Sequence, residues 1–382
     1  MSRLRRILRR VPVWVSAAVL AIATSAAPTV TAAPTPTPTP KAPTTKFLSG
    51  DYGLGRQSLA WNGTSALATA TDFDGDLDYW WQDSGGTWHQ QTVALAGAVS
   101  YYYPSITSTS TGVVIAASDT GGGLDYWWQA NSDTVWHHQT VAASGFQYEE
   151  PSIAWNGSAV IITSTDNSYN LDYWWQANGT STWHQQTVAA AGTLSYYSPT
   201  ITSTGTAVVI AALDSLGNLD SWRQTFGTTP WTKQVVATAG KITYPGPPSI
   251  AWNGTSVLIA ADDSAGNLDY WWQDSGGTWH QQTVALSAFN GGGGPSITFT
   301  STGVVITQSE FPGAPLDYWW QANGTTTWHQ QTVASGPVIE YYFPAIASTG
   351  AAVIILAGDT FEHLDYFWQA NSTSIWHQQT VV

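Results

Sequence analysis

Short apolar runs alternate with turn residues along most of the chain, and this pattern repeats at a nearly constant spacing. The segment Leu-Asp-Tyr-Trp-Trp-Gln, or a close variant of it, recurs at intervals of 47 to 49 residues. Repeats of this length are typical of propeller blades, solenoids or arrays of small domains. The copies begin at Leu77, Leu124, Leu171, Leu219, Leu268, Leu316 and Leu364.

One repeat distinguishes between these architectures. Ser249–Trp252 is short and apolar, and the Asn253-Gly254 hairpin signal follows it. Val257–Ala261 is rich in β-branched and small apolar residues, Leu268–Gln273 is aromatic, and Trp279–Ala285 closes the repeat after another turn. Four short strands without helical periodicity predict a four-stranded antiparallel blade. Seven such repeats predict an all-β fold, the seven-bladed β-propeller.

The repeated polar and aromatic residues have structural explanations. Tyr270 and Trp272 face one side of their strand and Trp271 faces the other, as expected in a blade packed between two neighbours. We therefore expect the paired tryptophans to fill the core between blades. The Asp after each repeat leucine is also interpreted as structural, and we expect it to accept hydrogen bonds from loop amides at the top edge of its blade. The histidines that follow the last tryptophan in six repeats are interpreted as structural polar contacts. The histidines lie on separate blades and cannot easily share a metal ion.

The order of the strands defines two ends of the ring. If the first strand of each blade runs from top to bottom, the links between blades and the second-to-third loops lie on one face, called here the top face. The first-to-second and third-to-fourth turns then lie on the opposite, bottom face. The top face has the more varied sequence.

The first 45 residues differ in composition from the rest. A basic stretch, an apolar stretch and a run of small residues predict a signal peptide over residues 1–32 and a secreted, extracellular protein. An uncleaved membrane anchor is the alternative. Residues 33–45 alternate Pro with Thr or Ala and predict an extended linker. The propeller occupies residues 46–382.

Charge and cysteine content narrow the choice of partners. Residues 46–382 contain all 25 acidic residues of the chain but only five Lys and Arg, a formal charge of −20. Such a surface repels nucleic acid, anionic membranes and strongly anionic polysaccharides. We expect membrane contact only through the signal segment. The chain has no cysteine, so packing alone stabilises the exported domain.

Aromatic and acidic residues on the predicted top face form the candidate binding site. Aromatic rings cover the C–H face of a neutral sugar, and carboxylates and amides bind its hydroxyls. The alternative is that the tyrosines only seal the gaps between blades. The candidate residues are Tyr102, Tyr103, Tyr148, Tyr197, Tyr244, Tyr342, Asp119, Asp166, Asp214, Asp263 and Asp359.

The segment Gly266–Gln273, followed by Trp279-His280, resembles the repeats of bacterial and fungal propeller lectins. The PLL-type, fucose-binding seven-bladed lectins are the most similar in kind, and the resemblance covers the whole chain after the linker. It implies several sugar pockets between adjacent blades and binding of neutral glycans or glycoconjugates by avidity. The fourth repeat, with Ser221-Trp222-Arg223 and Trp231-Thr232-Lys233, departs from the pattern and does not support a pocket there.

The first repeat also contains alternating carboxylates around a glycine, Asp72, Asp74 and Asp76, which resemble the calcium loops of FG-GAP/VCBS propellers. The spacing differs from the usual calcium-loop motif. We expect no cofactor. Calcium binding at this loop is the alternative.

Two other classes of function stay open. All five glutamates lie in predicted top-face loops outside the repeat pattern, and paired carboxylates with a histidine are suited to a glycosidase or a lyase. The candidates for that chemistry are Glu310, Glu340, Glu362 and His363. A protein-binding scaffold without catalysis is the third class. We favour the sugar-binding module over both.

Overall fold

The computed structural model describes residues 56–226, 230–238, 246–286, 293–309, 315–336, 338–371 and 373–382. The predicted signal segment (1–32), the linker (33–45) and the candidates Tyr244 and Glu310 lie outside these ranges. No helix in the described part of the chain is long and apolar enough to cross a membrane.

The described chain forms 28 strands in seven four-stranded sheets. The first strands of the blades are β1 (Ser58–Trp61), β5 (Tyr101–Ser108), β9 (Glu149–Trp155), β13 (Tyr196–Ser203), β17 (Ser249–Trp252), β21 (Ser296–Phe299) and β25 (Tyr341–Ser348). The second strands are β2 (Ala66–Thr71), β6 (Gly112–Asp119), β10 (Ala159–Thr165), β14 (Ala207–Asp214), β18 (Val257–Asp262), β22 (Gly303–Ser309) and β26 (Ala352–Asp359).

The third and fourth strands complete each blade. The third strands are β3 (Leu77–Gln82), β7 (Leu124–Ala130), β11 (Leu171–Ala177), β15 (Leu219–Thr225), β19 (Leu268–Gln273), β23 (Leu316–Ala322) and β27 (Leu364–Ala370). The fourth strands are β4 (Trp88–Ala94), β8 (His137–Ala142), β12 (His184–Ala189), β16 (Thr232–Ala237), β20 (Trp279–Ala285), β24 (His329–Ala334) and β28 (His377–Thr380).

Each blade is an antiparallel meander in which consecutive strands pair. The first strands of neighbouring blades contact one another, so they surround the central axis, and the fourth strands form the rim. The predicted fold, a seven-bladed β-propeller of four-stranded blades, is confirmed.

The core lies between blades, and the two tryptophans of each pair have different positions in it. Trp80 is fully buried and packs with residues of blade 7, including Leu356 and Tyr366. Trp81 points to the other side of β3, toward blade 2, and is only partly buried. Both tryptophans pack against the core between blades, as expected, but the second one keeps part of its indole surface exposed. The same division recurs in the repeats that contain the pair.

A belt of glutamines joins the blades near the bottom face. Gln139 of blade 2 donates to the Ser181 carbonyl of blade 3 at 2.6 Å, and it accepts from Gln176, also of blade 3, at 2.9 Å. A glutamine pair of this kind spans every junction, including Gln82 to Gln379 between blades 1 and 7 at 3.4 Å. Side chains of blades 1 and 7 thus close the ring, and no blade combines strands from both ends of the described chain.

The repeated Asp of the third strand has a structural role with partners other than those the sequence suggests. Loop amides at the top edge were the expected donors. Instead, the carboxylate of Asp317 accepts from the side chains of Thr332 and Gln330 on the neighbouring β24, at 2.8 and 2.9 Å. Asp220 forms a 2.6 Å ion pair with Lys233 in the same arrangement. Burial raises the pKa of Asp317 and Asp220 in spite of these contacts.

Candidate functional site: the grooves between blades

Three stacked aromatic rings lie on one face of six of the seven blades, near the bottom of the ring. In blade 1, Tyr79 stacks with Trp81 at 5.5 Å between ring centroids, and Trp81 stacks with His89 at 5.1 Å. Alternation along β3 puts Tyr79 and Trp81 on one face of the sheet, and cross-strand pairing brings His89 beside Trp81. The same stack occurs in six of the seven blades.

The next blade supplies the opposite wall, which is mostly polar. In the groove between blades 2 and 3, Tyr126, Trp128 and Gln139 of blade 2 face Gln176 and the turn 177–181 of blade 3. This cavity has a volume of about 540 Å³. Corresponding cavities of about 260 Å³ lie between blades 1 and 2 and between blades 6 and 7. Each combines part-exposed aromatic surface with amide, hydroxyl and backbone groups, which is the composition of small-molecule pockets.

Acidic residues in the bottom turns orient the histidines of some stacks. His89 binds Asp83 at 2.9 Å, and His280 binds Asp274 at the same distance. The hydrogen bond from His89 lowers the pKa of Asp83, and that from His280 lowers the pKa of Asp274. His89 and His280 therefore have structural partners, as the sequence predicts, and their rings stack on Trp81 and Trp272.

The fourth blade lacks the aromatic stack but has a cavity. Ser221, Arg223 and Thr232 occupy the positions that are Tyr, Trp and His in the other blades. The departure of this repeat from the pattern does not support a pocket at this blade. The structure shows a cavity of about 570 Å³ between blades 4 and 5, lined by Arg223 and Thr232 of blade 4 and by Trp252 and Gln273 of blade 5.

The predicted top-face tyrosines fall into two groups. Tyr148 is 2% exposed, and its ring packs edge-on against Trp174 at 5.0 Å, which is a contact within the core. Tyr102, Tyr197 and Tyr342 are partly exposed. Each of them directly follows the tyrosine of its own blade that is equivalent to Tyr148. Burial raises the pKa of Tyr102 to about 12, and burial together with the hydrogen bond to Glu340 raises the pKa of Tyr342 to about 12.

The predicted top-face aspartates organise their own loops. Asp119 accepts from the backbone amide of Gly123 at 2.8 Å. Asp166, Asp214, Asp263 and Asp359 make the equivalent bond to the residue four positions later. The second carboxylate oxygen of Asp166, Asp214 and Asp263 accepts from the Asn side chain four positions later, so both oxygens of these three residues hold the second-to-third loop. A sugar-binding role for the top-face tyrosines and aspartates stays a prediction.

The candidate calcium loop of blade 1 has the same loop geometry as the other blades. Asp72 accepts from the amide of Asp76 at 2.8 Å, and Asp76 accepts from the amide of Ala96 at 2.6 Å. Asp74 is exposed at the tip of the loop. Within the described ranges, no three acidic or histidine side chains are arranged to hold a metal ion. Calcium binding by Asp72, Asp74 and Asp76 stays a prediction.

The candidate catalytic residues lie on top of blade 7. Glu340 accepts a 2.7 Å hydrogen bond from the Tyr342 hydroxyl, and His363 contacts Asp359 at 3.2 Å. Glu340, Glu362 and His363 line neither the grooves described above nor the axial cavity described next. Their role in catalysis stays a prediction.

At the top of the central axis, the chain departs from sevenfold symmetry. Arg56 of blade 1 forms a 2.7 Å ion pair with Glu150 of blade 3 and lies over the ring of Tyr103 of blade 2 at 5.3 Å. These residues border an axial cavity of about 220 Å³. Tyr103 and Glu150 each adopt a positive φ of 52° directly before a proline, which is a strained conformation. Nothing in the sequence indicated this contact, because it joins residues 94 positions apart.

The residues missed by the sequence analysis are repeated ones. The second tryptophan of each pair was interpreted as a packing residue because most repeats contain it, and the last glutamine of the third strand was given no role. The available signal was the alternation that points Tyr79 and Trp81 to the same side, together with the Gln that ends β3. A residue repeated around a ring serves function as readily as structure when the function is itself repeated.

No protein-family model matches the chain, and no curated protein matches it. Solved structures do match. The BP39L lectin from Burkholderia pseudomallei has a TM-score of 0.70 and 13% identity, over 87% of this chain and 100% of that one. A mutant of Aleuria aurantia lectin in complex with Fucα1-6GlcNAc has a TM-score of 0.54 and 13% identity, over 86% and 96% of the two chains. The SapL1 lectin in complex with alpha methyl fucoside has a TM-score of 0.53 and 10% identity, over 75% and 98%.

The chain therefore has the fold of the propeller lectins. At these identities the comparison concerns the fold, and it agrees with the resemblance to PLL-type repeats seen in the sequence.

Proposed function

We propose that this protein is a carbohydrate-binding propeller, a lectin, that recognises neutral glycans in the grooves of its bottom face. The observation that carries the proposal is the part-exposed tryptophan that recurs in the grooves beside amide and hydroxyl groups. An exposed aromatic surface packs against the C–H face of a pyranose ring, and the neighbouring polar groups bind its hydroxyls. The structural relatives named above are lectins, two of them in complexes with a fucoside or a fucose-containing disaccharide.

Repetition of the groove supports multivalent binding. Six blades present the same Tyr–Trp–His stack at quasi-equivalent positions around the ring. Several weak sites on one rigid body give high avidity for a surface that displays many copies of a sugar. Secretion through the N-terminal segment, which we also propose, would place the protein where such glycans occur.

A glycan array and titrations with variants test the proposal. We expect saturable binding of methyl α-L-fucoside or another neutral glycoside, with no product released. Trp128→Ala and Trp320→Ala each remove the exposed indole of one groove, and we expect them to lower the number of sites measured by calorimetry. Combining them should lower the avidity for a multivalent glycan at least 10-fold.

The top-face residues provide the matched comparison. Tyr102→Ala and Tyr197→Ala remove part-exposed aromatic rings of similar size from the face where the sequence located the site. If these two variants lose sugar binding and Trp128→Ala does not, the site lies on the top face and the proposed grooves are wrong. A protein that binds no glycan on the array with or without calcium would contradict the proposed function.

A further inference from the structure

The groove between blades 4 and 5 has the same construction as the other grooves but different chemistry. Its glutamine contacts are intact, since Gln273 donates to Gln234 at 2.7 Å and Trp279 donates to the same side chain at 3.3 Å. Arg223 takes the position of the part-exposed tryptophan. Its side chain is exposed, and it lies opposite Thr232 in the register of the neighbouring strand. The shape of a binding groove is retained while an aromatic surface is replaced by a cation.

The aromatic component of this groove comes instead from the next blade. Trp252, at the end of β17, is partly buried and lines the cavity opposite Arg223. Thr225, Thr232 and Thr255 also line it and supply hydroxyls. The cavity of about 570 Å³ is similar in volume to the one of about 540 Å³ between blades 2 and 3, and it lies within the range of small-molecule pockets.

The charge of Arg223 has no carboxylate partner among the described residues. The described ranges contain three Lys and Arg side chains, and the other two form ion pairs, Arg56 with Glu150 and Lys233 with Asp220. An arginine that stays unpaired in a domain of formal charge −20 is notable, because acidic partners are abundant. A guanidinium at the wall of a groove binds a carboxylate through two parallel hydrogen bonds.

We propose that the groove between blades 4 and 5 binds an acidic sugar, a hexuronate, with its carboxylate on Arg223 and its ring against Trp252. This inference rests on the proposed function, since it assigns one groove of the same face a different ligand. A single carboxylate fits better than a polyanion. The domain as a whole repels polyanions, and Asp274, held by His280 at 2.9 Å, contributes a negative charge to the same cavity.

Paired titrations test the inference. Methyl β-D-glucuronide and methyl β-D-glucoside differ only at C6, so the ratio of their affinities for the full protein, measured by saturation-transfer NMR and calorimetry, reports the contribution of the carboxylate. We expect a preference of about 10- to 100-fold for the glucuronide, the range of a charge-assisted hydrogen bond. The preference should decrease with added salt.

Three variants connect the preference to the groove. Arg223→Gln removes the charge, and Arg223→Trp restores the residue of the other blades, so each should bring the ratio close to one. Arg56→Gln removes a different cation, outside the grooves, and should leave the ratio unchanged. Because Arg223 is exposed, we expect the two Arg223 variants to fold, and a thermal melt checks this.

The outcomes also separate this inference from the proposed function. A protein that binds methyl α-L-fucoside but shows no glucuronide preference overturns the inference alone. A glucuronide preference that survives Arg223→Gln, or that is lost in Arg56→Gln, also overturns it. A protein that binds none of these glycosides overturns both the inference and the proposed function.

Discussion

The two faces of the propeller differ in how they use their polar and aromatic side chains. On the top face, the sequence varies from blade to blade, yet its aspartates hold their own loops and Tyr148 packs into the core. On the bottom face, the sequence repeats, yet Trp81 and its equivalents keep part of their surface exposed in grooves. Under the proposed function, sequence variation is a poor guide to the sugar site, because the site itself is repeated around the ring.

Removing each tryptophan of a pair separately tests whether the buried and the part-exposed indole have different roles. Trp80→Ala leaves a large cavity between blades, and we expect it to lower the free energy of unfolding by about 3–5 kcal/mol. Trp81→Ala should cost about 1–2 kcal/mol, because the second indole is already partly exposed. Urea denaturation measures both.

The natural repeat supplies a control for this pair. Blade 7 has Phe367 where the other blades have the buried tryptophan, so Trp80→Phe should cost less than Trp80→Ala. If Trp81→Ala destabilises the fold as much as Trp80→Ala, the exposed indole is a core residue and the bottom face loses its distinguishing feature.

A buried carboxylate near the top of blades 5 and 6 sharpens the comparison through pH. Asp262 is 1% exposed, and both of its oxygens accept from the Gln308 amide at 2.8 and 2.9 Å. Among the described residues, the Gln308 oxygen has no partner. Burial raises the pKa of Asp262 from 3.8 to about 7. Protonation of Asp262 removes the cost of burying its charge.

The folded state therefore holds the Asp262 proton more tightly than the unfolded state. The resulting stability is fully present below pH 3.8 and is lost as the pH rises through 7, and such a pKa difference corresponds to about 4 kcal/mol. Asp262→Asn should remove this contribution, so the variant loses less stability than the natural protein between pH 5 and pH 8. Identical pH dependence in the two proteins, measured by urea denaturation, would contradict this account.

The smallest expected effect concerns the glutamine belt of the bottom face. Gln331→Ala removes its bond to the Ser374 carbonyl and the bond it accepts from Gln369. Since both hydrogen bonds are at least partly exposed to solvent, we expect a loss of about 1–2 kcal/mol in the free energy of unfolding. Ser374→Ala keeps the backbone carbonyl and should change stability by less than about 0.5 kcal/mol. A loss in the control equal to that in Gln331→Ala would mean that the belt does not bind the blades together.

The fold followed from the sequence because the information that specifies a blade is local. The period of the Leu-Asp-Tyr-Trp-Trp-Gln segment, the Asn253-Gly254 turn and the alternation along Leu268–Gln273 each depend on residues close together in the chain. Seven copies of that information predict the number and the kind of blades. The structural role of the repeated aspartates and histidines followed in the same way.

Only the tertiary structure decided which repeated residues stay exposed. How much of Trp81 is exposed in the groove depends on how blade 2 packs against blade 1. Arg223 became a candidate sugar-binding residue only because another blade places Trp252 across the same cavity. The glutamine belt and the Arg56–Glu150 pair likewise join residues 37 to 297 positions apart. Such contacts form only when the ring closes. A sequence pattern that repeats within each blade predicts the blade itself but does not predict the contacts between blades.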